Sequence, residues 1–247
     1  MTEKRIPELL VEPNKFCPGC GHGIINRVLA EVLEEMELAE QAVGSLAVGC
    51  ACLMMDTFGA DWIQAPHGRA AAVAVGVKRV RPECCVFTYQ GDGDSMSIGF
   101  SETMYAAIRN ENITAILVNN GIFGMTGGQM APTSLPGQRT TTSPKGRDAA
   151  LTGQPLNMIN QMKQLPIGYL ARGSVASAKD INKLKQYIRS AIETQMNGGG
   201  YSMVEVLSPC PTNWKMNMES SLAHIENTVK SVFPVGEFVK NGERTDA

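Results

Sequence analysis

Short runs rich in β-branched and aromatic residues recur along this chain, each separated from the next by enough sequence for a helix. They are SLAV (45–48), CCVFTY (84–89), ITAILV (113–118), GYLA (168–171) and SMVEVL (202–207). Antiparallel neighbours need only a turn, whereas parallel neighbours need a crossover of a dozen or more residues. The spacing therefore predicts an α/β fold, a largely parallel sheet with helices on both faces. The intervals carry helical patterning. IINRVLAEVLEEM (24–36) sets Ile25, Val28, Leu29, Val32, Leu33 and Met36 on one stripe. GRAAAVAVGVKRV (68–80) is dense in Ala and Gly, which suits close approach to neighbours, and Pro82 helps to end it. Asp180 is placed to cap INKLKQYIRSAIETQM, whose apolar face is Ile181, Leu184, Ile188 and Ile192 and which stops before Gly198-Gly199-Gly200. A single domain over residues 1–247 is expected.

A net charge of −2 gives no electrostatic reason to expect nucleic acid or an anionic membrane as a partner. No apolar run is long enough to span a bilayer. MTEKRIPELLVEPNKF has no signal-peptide core, so a cytoplasmic location is expected. Seven cysteines, an odd number, argue against a disulfide framework and towards metal ligation, catalysis or buried thiols. Cys84 and Cys85 open a strand and read as buried thiols; Cys52 reads as structural. Residues 131–155 hold four prolines, several threonines and Arg139, Lys145 and Arg147. A loop of that length is usually functional or disordered, and here an ordered interface arm is expected.

One junction carries more than turn chemistry. YQGDGDSMSIGF (89–100) follows a strand and precedes a helix. Gly and Asp are ordinary turn residues, but Asn120, in VNNGIFGMTGGQ, stands 28 positions beyond Asp92. A helix (97–109) and a strand (113–118) fit between them, so both junctions would share the carboxyl edge of neighbouring parallel strands. A carboxylate, an amide oxygen and a backbone carbonyl are hard ligands suited to Mg²⁺. Gly91 and Gly93 would let backbone amides approach a diphosphate beside a helix N-terminus. GDG followed by NN at this distance resembles the thiamine diphosphate (ThDP) motif of many decarboxylases and oxoacid dehydrogenases. The resemblance makes Asp92, the side chain of Asn120 and the carbonyl of Ile122 the Mg²⁺ ligands. It puts Gly93, Asp94, Gly124 and Met125 against the cofactor.

FCPGCGHG places Cys17 and Cys20 at C-x₂-C spacing before a helix, where two thiolates can share a zinc or iron–sulfur centre. Cys50 and Cys210 each follow a strand. CPGCGHG, the GC of AVGC, HGRAAAVAVGVK, GDGD, NNGIFGMTGGQMAPTSLPGQ and SPCPTNW, in that order, resemble the β subunit of 2-oxoacid:ferredoxin oxidoreductases. That resemblance implies the ThDP diphosphate-domain fold and a [4Fe–4S] cluster on Cys17, Cys20, Cys50 and Cys210, with residues 1–22 and 208–217 contributing to the iron–sulfur site. It adds Val48, Gly49, Cys50, Ala51, His67, Gly68 and Gly91 to the cofactor contacts, with His67 also facing substrate. Ala51 departs from the serine that relatives often carry there. His22 is expected to support the cluster loop and His224 to be structural.

The implied reaction is oxidative decarboxylation of a 2-oxoacid to acyl-CoA and CO₂, with electrons passing through the cluster to ferredoxin. The loop wording resembles the branched-chain (2-oxoisovalerate) and 2-oxoglutarate types. Arg139, Lys145 and Arg147 are candidates for a substrate carboxylate or CoA phosphates, or form a solvated basic loop. The activating glutamate is expected on a separate α subunit that carries the pyrimidine-binding domain, with room for further small subunits. The alternatives are a subunit of a non-oxidative ThDP decarboxylase and a non-catalytic zinc-binding scaffold.

Overall fold

The alternation of strand and helix patterns is realised as a three-layer sandwich. The computed structural model describes residues 5–245. The first half of the chain runs α1 (His22–Glu35), β1 (Ala42–Leu46), β2 (Asp61–Gln64), α2 (Ala70–Val80), β3 (Cys85–Gly91), α3 (Phe100–Ile108) and β4 (Thr114–Asn119). A short hairpin, β5 (Ile122–Phe123) and β6 (Gln129–Met130), leads into the arm, which contains α4 (Ala149–Thr152). The second half runs α5 (Met158–Met162), β7 (Tyr169–Ser174), α6 (Ala178–Met196), β8 (Ser202–Leu207), α7 (Pro211–Trp214), α8 (Met218–His224), α9 (Lys230–Val232), β9 (Gly236–Lys240) and β10 (Glu243–Arg244).

Eight strands form one sheet in the order β10-β9-β7-β8-β4-β3-β1-β2. The six from β7 to β2 in that order are parallel, and β9 and β10 add an antiparallel edge. Successive strand residues face opposite sides. Phe87, Tyr89, Ile116 and Val118 therefore pack with α1 and α6, while Val86, Ala115 and Leu117 pack with α2, α3 and α5. Both faces are covered, so the central strands are apolar throughout, as parallel sheets require. Leu184, Ile188 and Ile192 of α6 are completely buried. Burial of each such side chain stabilises by about 1.5–3 kcal/mol.

Several expectations need adjustment. Ser177, not Asp180, caps α6: its hydroxyl accepts from the Asp180 amide, which lies inside the first turn. The strand expected at 45–48 runs from Ala42 to Leu46, leaving Val48 in a loop, and the one expected at 168–171 extends to Ser174. β2, β9, β10 and the β5–β6 hairpin are additional, being short or outside the β-branched runs. A π-helical turn at Asp94–Ile98 separates the GDGD junction from α3. No helix among the described residues is long and apolar enough to cross a membrane.

Candidate functional site

β3 and β4 are adjacent and parallel, with Gly91 paired to Val118, so the segments after them emerge side by side. The loop after β1 and the segment after β8 open at the same carboxyl edge. A cleft there is lined by Val48, Gly49, Cys50, Ala51, His67, Gly91, Asp92, Gly93, Asp94, Asn120, Ile122, Gly124 and Met125, all expected from sequence. His22, Phe123 and Thr126 also line it. Gly68, also expected at the cofactor, lies one residue from the His67 wall and has a left-handed φ of +76°. A side chain there would collide with the backbone of Ile98 and Gly99.

Asp92 is buried, and its carboxylate is held by three donors. Gly93 N–H donates to Oδ1 at 2.8 Å, Gly121 N–H donates to Oδ2 at 2.9 Å, and the Thr133 hydroxyl also donates to Oδ2. Burial pushes this carboxyl up to about 6 against the pull of those hydrogen bonds. Asn120 Oδ1 accepts from Ile122 N–H at 3.1 Å, and its carbonyl accepts from Trp214 Nε1–H at 3.0 Å. A carboxylate has about four acceptor positions and an amide oxygen two. One on Asp92 Oδ1 and one on Asn120 Oδ1 are therefore free, on neighbouring junctions. Such a pair of hard oxygens fits a divalent ion. A Cβ at Gly49 or Gly91 would meet nothing within 4 Å, so both leave backbone open to the cleft, as approach of a diphosphate requires. Gly93 has a further role: a side chain there would strike the ring of Phe123.

Asp94 is also buried, and it organises the opposite wall. Its Oδ1 accepts from Gly68 N–H at 2.7 Å and from His67 Nδ1–H; its Oδ2 accepts from Gln90 Nε2–H at 2.7 Å. A carboxylate only accepts, so Nδ1 of His67 carries the proton, and Nε2 is the nitrogen left for the cleft. His22 is wholly buried, hydrogen-bonds Tyr89 through Nδ1 at 2.8 Å and stacks on Phe16. Burial holds its pKa down at about 4. The π-turn that carries Asp94 and the Gln90 contact were not visible as sequence motifs.

The cysteines gather beside this cleft. Cys50 and Cys210 Sγ lie 3.4 and 3.6 Å from the point a Gly124 Cβ would occupy. Asn213 Nδ2–H donates to Cys210 Sγ at 3.3 Å and to the Gly124 carbonyl at 3.2 Å. Cys17 and Cys20 close a turn through a 3.0 Å backbone bond, and Gly21 N–H donates to the Pro209 carbonyl, bringing that turn against the Cys210 segment. Burial, assisted by the neighbouring thiols, raises Cys20 to about 12 and Cys50 to about 11, and Cys210 also shifts upward. Among the described residues no three His, Cys, Asp or Glu side chains are grouped as one metal ion would need. Cys84 and Cys85 are buried as expected and lie elsewhere, at the start of β3. His224 packs edge-on against Trp214, a structural contact.

One candidate takes a different role. Arg147 is buried, and its guanidinium is spent on backbone carbonyls. Its Nη1 donates to the carbonyls of Ala131, Pro132 and Ser134, and its Nη2 to those of Thr152, Gly153 and Gln154. It ties the two ends of the arm together, whereas Arg139 and Lys145 remain exposed.

Sheet, glycine-lined cleft and hard oxygens at one carboxyl edge define a diphosphate-binding α/β domain. Residues 43–206 match the family described as thiamine pyrophosphate enzyme, C-terminal TPP binding domain. The chain is 42% identical over 233 residues to the ketoisovalerate oxidoreductase subunit VorA of Methanothermobacter thermautotrophicus, covering 94% of this chain and 49% of that one. It is 30% identical to the 2-oxoglutarate synthase subunit KorB of Archaeoglobus fulgidus, covering 88% and 78% respectively. A solved 2-oxoglutarate:ferredoxin oxidoreductase from Magnetococcus marinus, with 2-oxoglutarate, coenzyme A and succinyl-CoA bound, superposes with a TM-score of 0.76 at 29% identity, over 91% of this chain and 74% of that one. The chain belongs to the thiamine diphosphate-binding subunits of the 2-oxoacid:ferredoxin oxidoreductase family. It spans about half the length of the ketoisovalerate oxidoreductase subunits it matches.

Proposed function

We propose that this chain is the ThDP-binding subunit of a CoA-acylating 2-oxoacid:ferredoxin oxidoreductase. The observation that carries the reading is the meeting of Asp92, Asn120 and the open glycine backbone in one cleft at the carboxyl edge of the sheet, with Cys50 and Cys210 beside it. Asp92, the Asn120 side chain and the Ile122 carbonyl would hold Mg²⁺. Gly91, Gly93, Asp94, Gly124 and Met125 would contact ThDP, with Val48–Ala51 and His67–Gly68 on the facing wall. Cys17, Cys20, Cys50 and Cys210 would hold a [4Fe–4S] cluster. Bound ThDP supplies an electron sink for decarboxylation, and a bound cluster supplies one-electron transfer.

The chain's own residues do the positioning. Asp94 fixes the His67 ring so that Nε2 serves the cleft, whose lining includes the apolar Val48, Ile122, Phe123 and Met125. The thiols would lose their protons on binding a cluster, so assembly releases protons. The activating glutamate and the pyrimidine-binding domain belong to a partner α subunit, and the exposed Arg139–Lys145 side of the arm is the surface offered to a partner. Electrons leave to ferredoxin and the acyl group to CoA. The higher identity to ketoisovalerate subunits, 42% against 30% for the 2-oxoglutarate relative, favours a branched-chain 2-oxoacid.

The test is anaerobic co-purification with the partner subunit, analysis of iron, sulfide and zinc, and turnover of a 2-oxoacid panel with CoA and an electron acceptor. The expected result is stoichiometric iron and sulfide, preference for 2-oxoisovalerate, and no activity from this chain alone. Acceptor-independent aldehyde formation without iron would make it a plain decarboxylase. Zinc in place of iron, with no ThDP bound, would make it a scaffold.

A further inference from the structure

The arm between β6 and α5 sends three side chains back to the junctions that form the candidate ion site. Thr133 donates its hydroxyl to Asp92 Oδ2. Ser134 Oγ–H donates to the Gly121 carbonyl at 2.6 Å, and Gln138 Nε2–H donates to the same oxygen at 2.9 Å. Gly121 lies between Asn120 and Ile122, has a left-handed φ of +66°, and gives its own N–H to Asp92 Oδ2. The arm thus grips the Asp92 carboxylate and the peptide following Asn120 together.

These contacts are built, not incidental. Thr133 and Ser134 are almost completely buried. The Ser134 hydroxyl also accepts from Ala131 N–H at 2.9 Å, while Gln138 Oε1 accepts from Leu135 N–H at 2.9 Å, so both side chains are fixed at each end. Arg147 gathers the carbonyls of Ala131, Pro132 and Ser134, which sets the backbone on which Thr133 stands. Leu156 N–H donates to the Pro132 carbonyl at 2.9 Å, anchoring the same turn from the far end of the arm.

We infer that Thr133 is a positioning residue for the divalent ion: with Gly121 it saturates Asp92 Oδ2 and so presents Oδ1 to the metal. A carboxylate rotating freely about Cβ–Cγ offers either oxygen to an ion. Two donors on Oδ2 remove that freedom. This inference rests on the Mg²⁺–ThDP reading of the cleft and deepens it, because it assigns to the arm a task inside this chain.

The experiment uses the full chain in complex with its partner subunit and reads Mg²⁺-dependent ThDP binding by tryptophan fluorescence. Trp214, which donates to the Asn120 carbonyl, is the reporter. Thr133→Val is close to isosteric and replaces the hydroxyl by a methyl group. The Mg²⁺ concentration for half-maximal ThDP binding should rise about 10–100-fold, the range for loss of an outer partner of a metal ligand. Thr133→Ser should restore it to within about threefold. Thr133→Ala removes the same hydroxyl without a new methyl contact, and keeps the test decisive if the valine variant folds poorly. In an Asp92→Asn background, Thr133→Val should add no further loss, which a merely structural role would not predict. Unchanged Mg²⁺ dependence in both hydroxyl-free variants overturns the inference and leaves the cofactor reading standing. Failure of the unsubstituted complex to bind ThDP with Mg²⁺ overturns both.

Discussion

Arg172→Met tests the foundation beneath the Asn119–Asn120 junction. Arg172 and Glu205 are register partners on β7 and β8, and their side chains are 1% and 0% exposed. Arg172 Nε and Nη2 both reach Glu205 Oε2, at 2.9 and 2.8 Å. Nη2 also donates to Asn157 Oδ1 at 2.8 Å and Nη1 to the Pro234 carbonyl at 3.1 Å, while the guanidinium carbon lies 5.2 Å from the Phe233 ring centre. The other oxygen of Glu205 accepts from Asn119 Nδ2–H at 2.7 Å. Methionine replaces the apolar stem of the arginine but none of its donors, so the carboxylate is left buried with one neutral amide. Breaking a buried pair by removing one partner costs about 3–5 kcal/mol. Loss of the cation–π contact adds about 1 kcal/mol. Against a domain stability of about 5–15 kcal/mol this is a large share.

The pH dependence identifies the cause. The stranded carboxyl escapes only by taking up a proton that the unfolded chain does not hold at neutral pH. The folded variant then binds more protons than the unfolded one, so its stability falls as pH rises, by up to about 1.4 kcal/mol per unit. Urea unfolding followed by circular dichroism, from about pH 5.5 to pH 8, measures both the loss and its slope. Arg172→Met combined with Glu205→Leu should regain most of the stability, since apolar replacement of both partners is often neutral. A loss below about 1 kcal/mol, or one that does not change with pH, would refute the reasoning.

Three further outcomes are expected. Asp92→Ala should abolish ThDP binding in the presence of Mg²⁺ while leaving the iron content of the complex unchanged, as read by calorimetry and metal analysis. Arg147→Ala withdraws the guanidinium from six arm carbonyls, of which those of Ala131 and Pro132 keep backbone donors in Ser134 and Leu156. It should cost about 2–4 kcal/mol, because several carbonyls regain water, and should speed tryptic cleavage at the exposed Arg139 and Lys145. Burial pushes the Cys85 thiol from 9.0 up to about 12. The folded chain keeps this proton where the unfolded chain loses it, so Cys85 draws stability down as pH rises from about 9 towards 12, by at most about 4 kcal/mol. Cys85→Ala should flatten that alkaline decline in a thermal-denaturation series, and an unchanged slope would argue against it.

The sequence by itself determined the parallel α/β architecture and the arrival of Asp92 and Asn120 at one edge of the sheet. Both follow from local rules: a helix-length gap makes consecutive strands parallel, and parallel neighbours expose their following junctions at one edge. GDGD and NN were therefore readable as partners across 28 residues. Likewise, burial of Cys84 and Cys85 followed from their place at the head of a central strand.

Tertiary structure alone decided which donors meet these groups. Thr133 reaches Asp92 across 41 positions, and Gly21, ahead of β1, meets Pro209, just after β8. No periodicity encodes such contacts, because they depend on how irregular loops settle on a finished sheet. Arg147 shows the same limit: a basic residue in a polar, proline-rich arm reads as solvent-facing, yet six carbonyls enclose it. Ser177 displaced Asp180 as the cap of α6 because Ser177 is the last extended residue and the helix starts at Ala178, three residues before Ile181 opens the apolar pattern. The short edge strands β9 and β10 likewise owe their pairing to docking on β7 rather than to β-branched content. Local pattern set which segments became strands and helices; long-range packing set which side chains of the loops between them converge on the cleft.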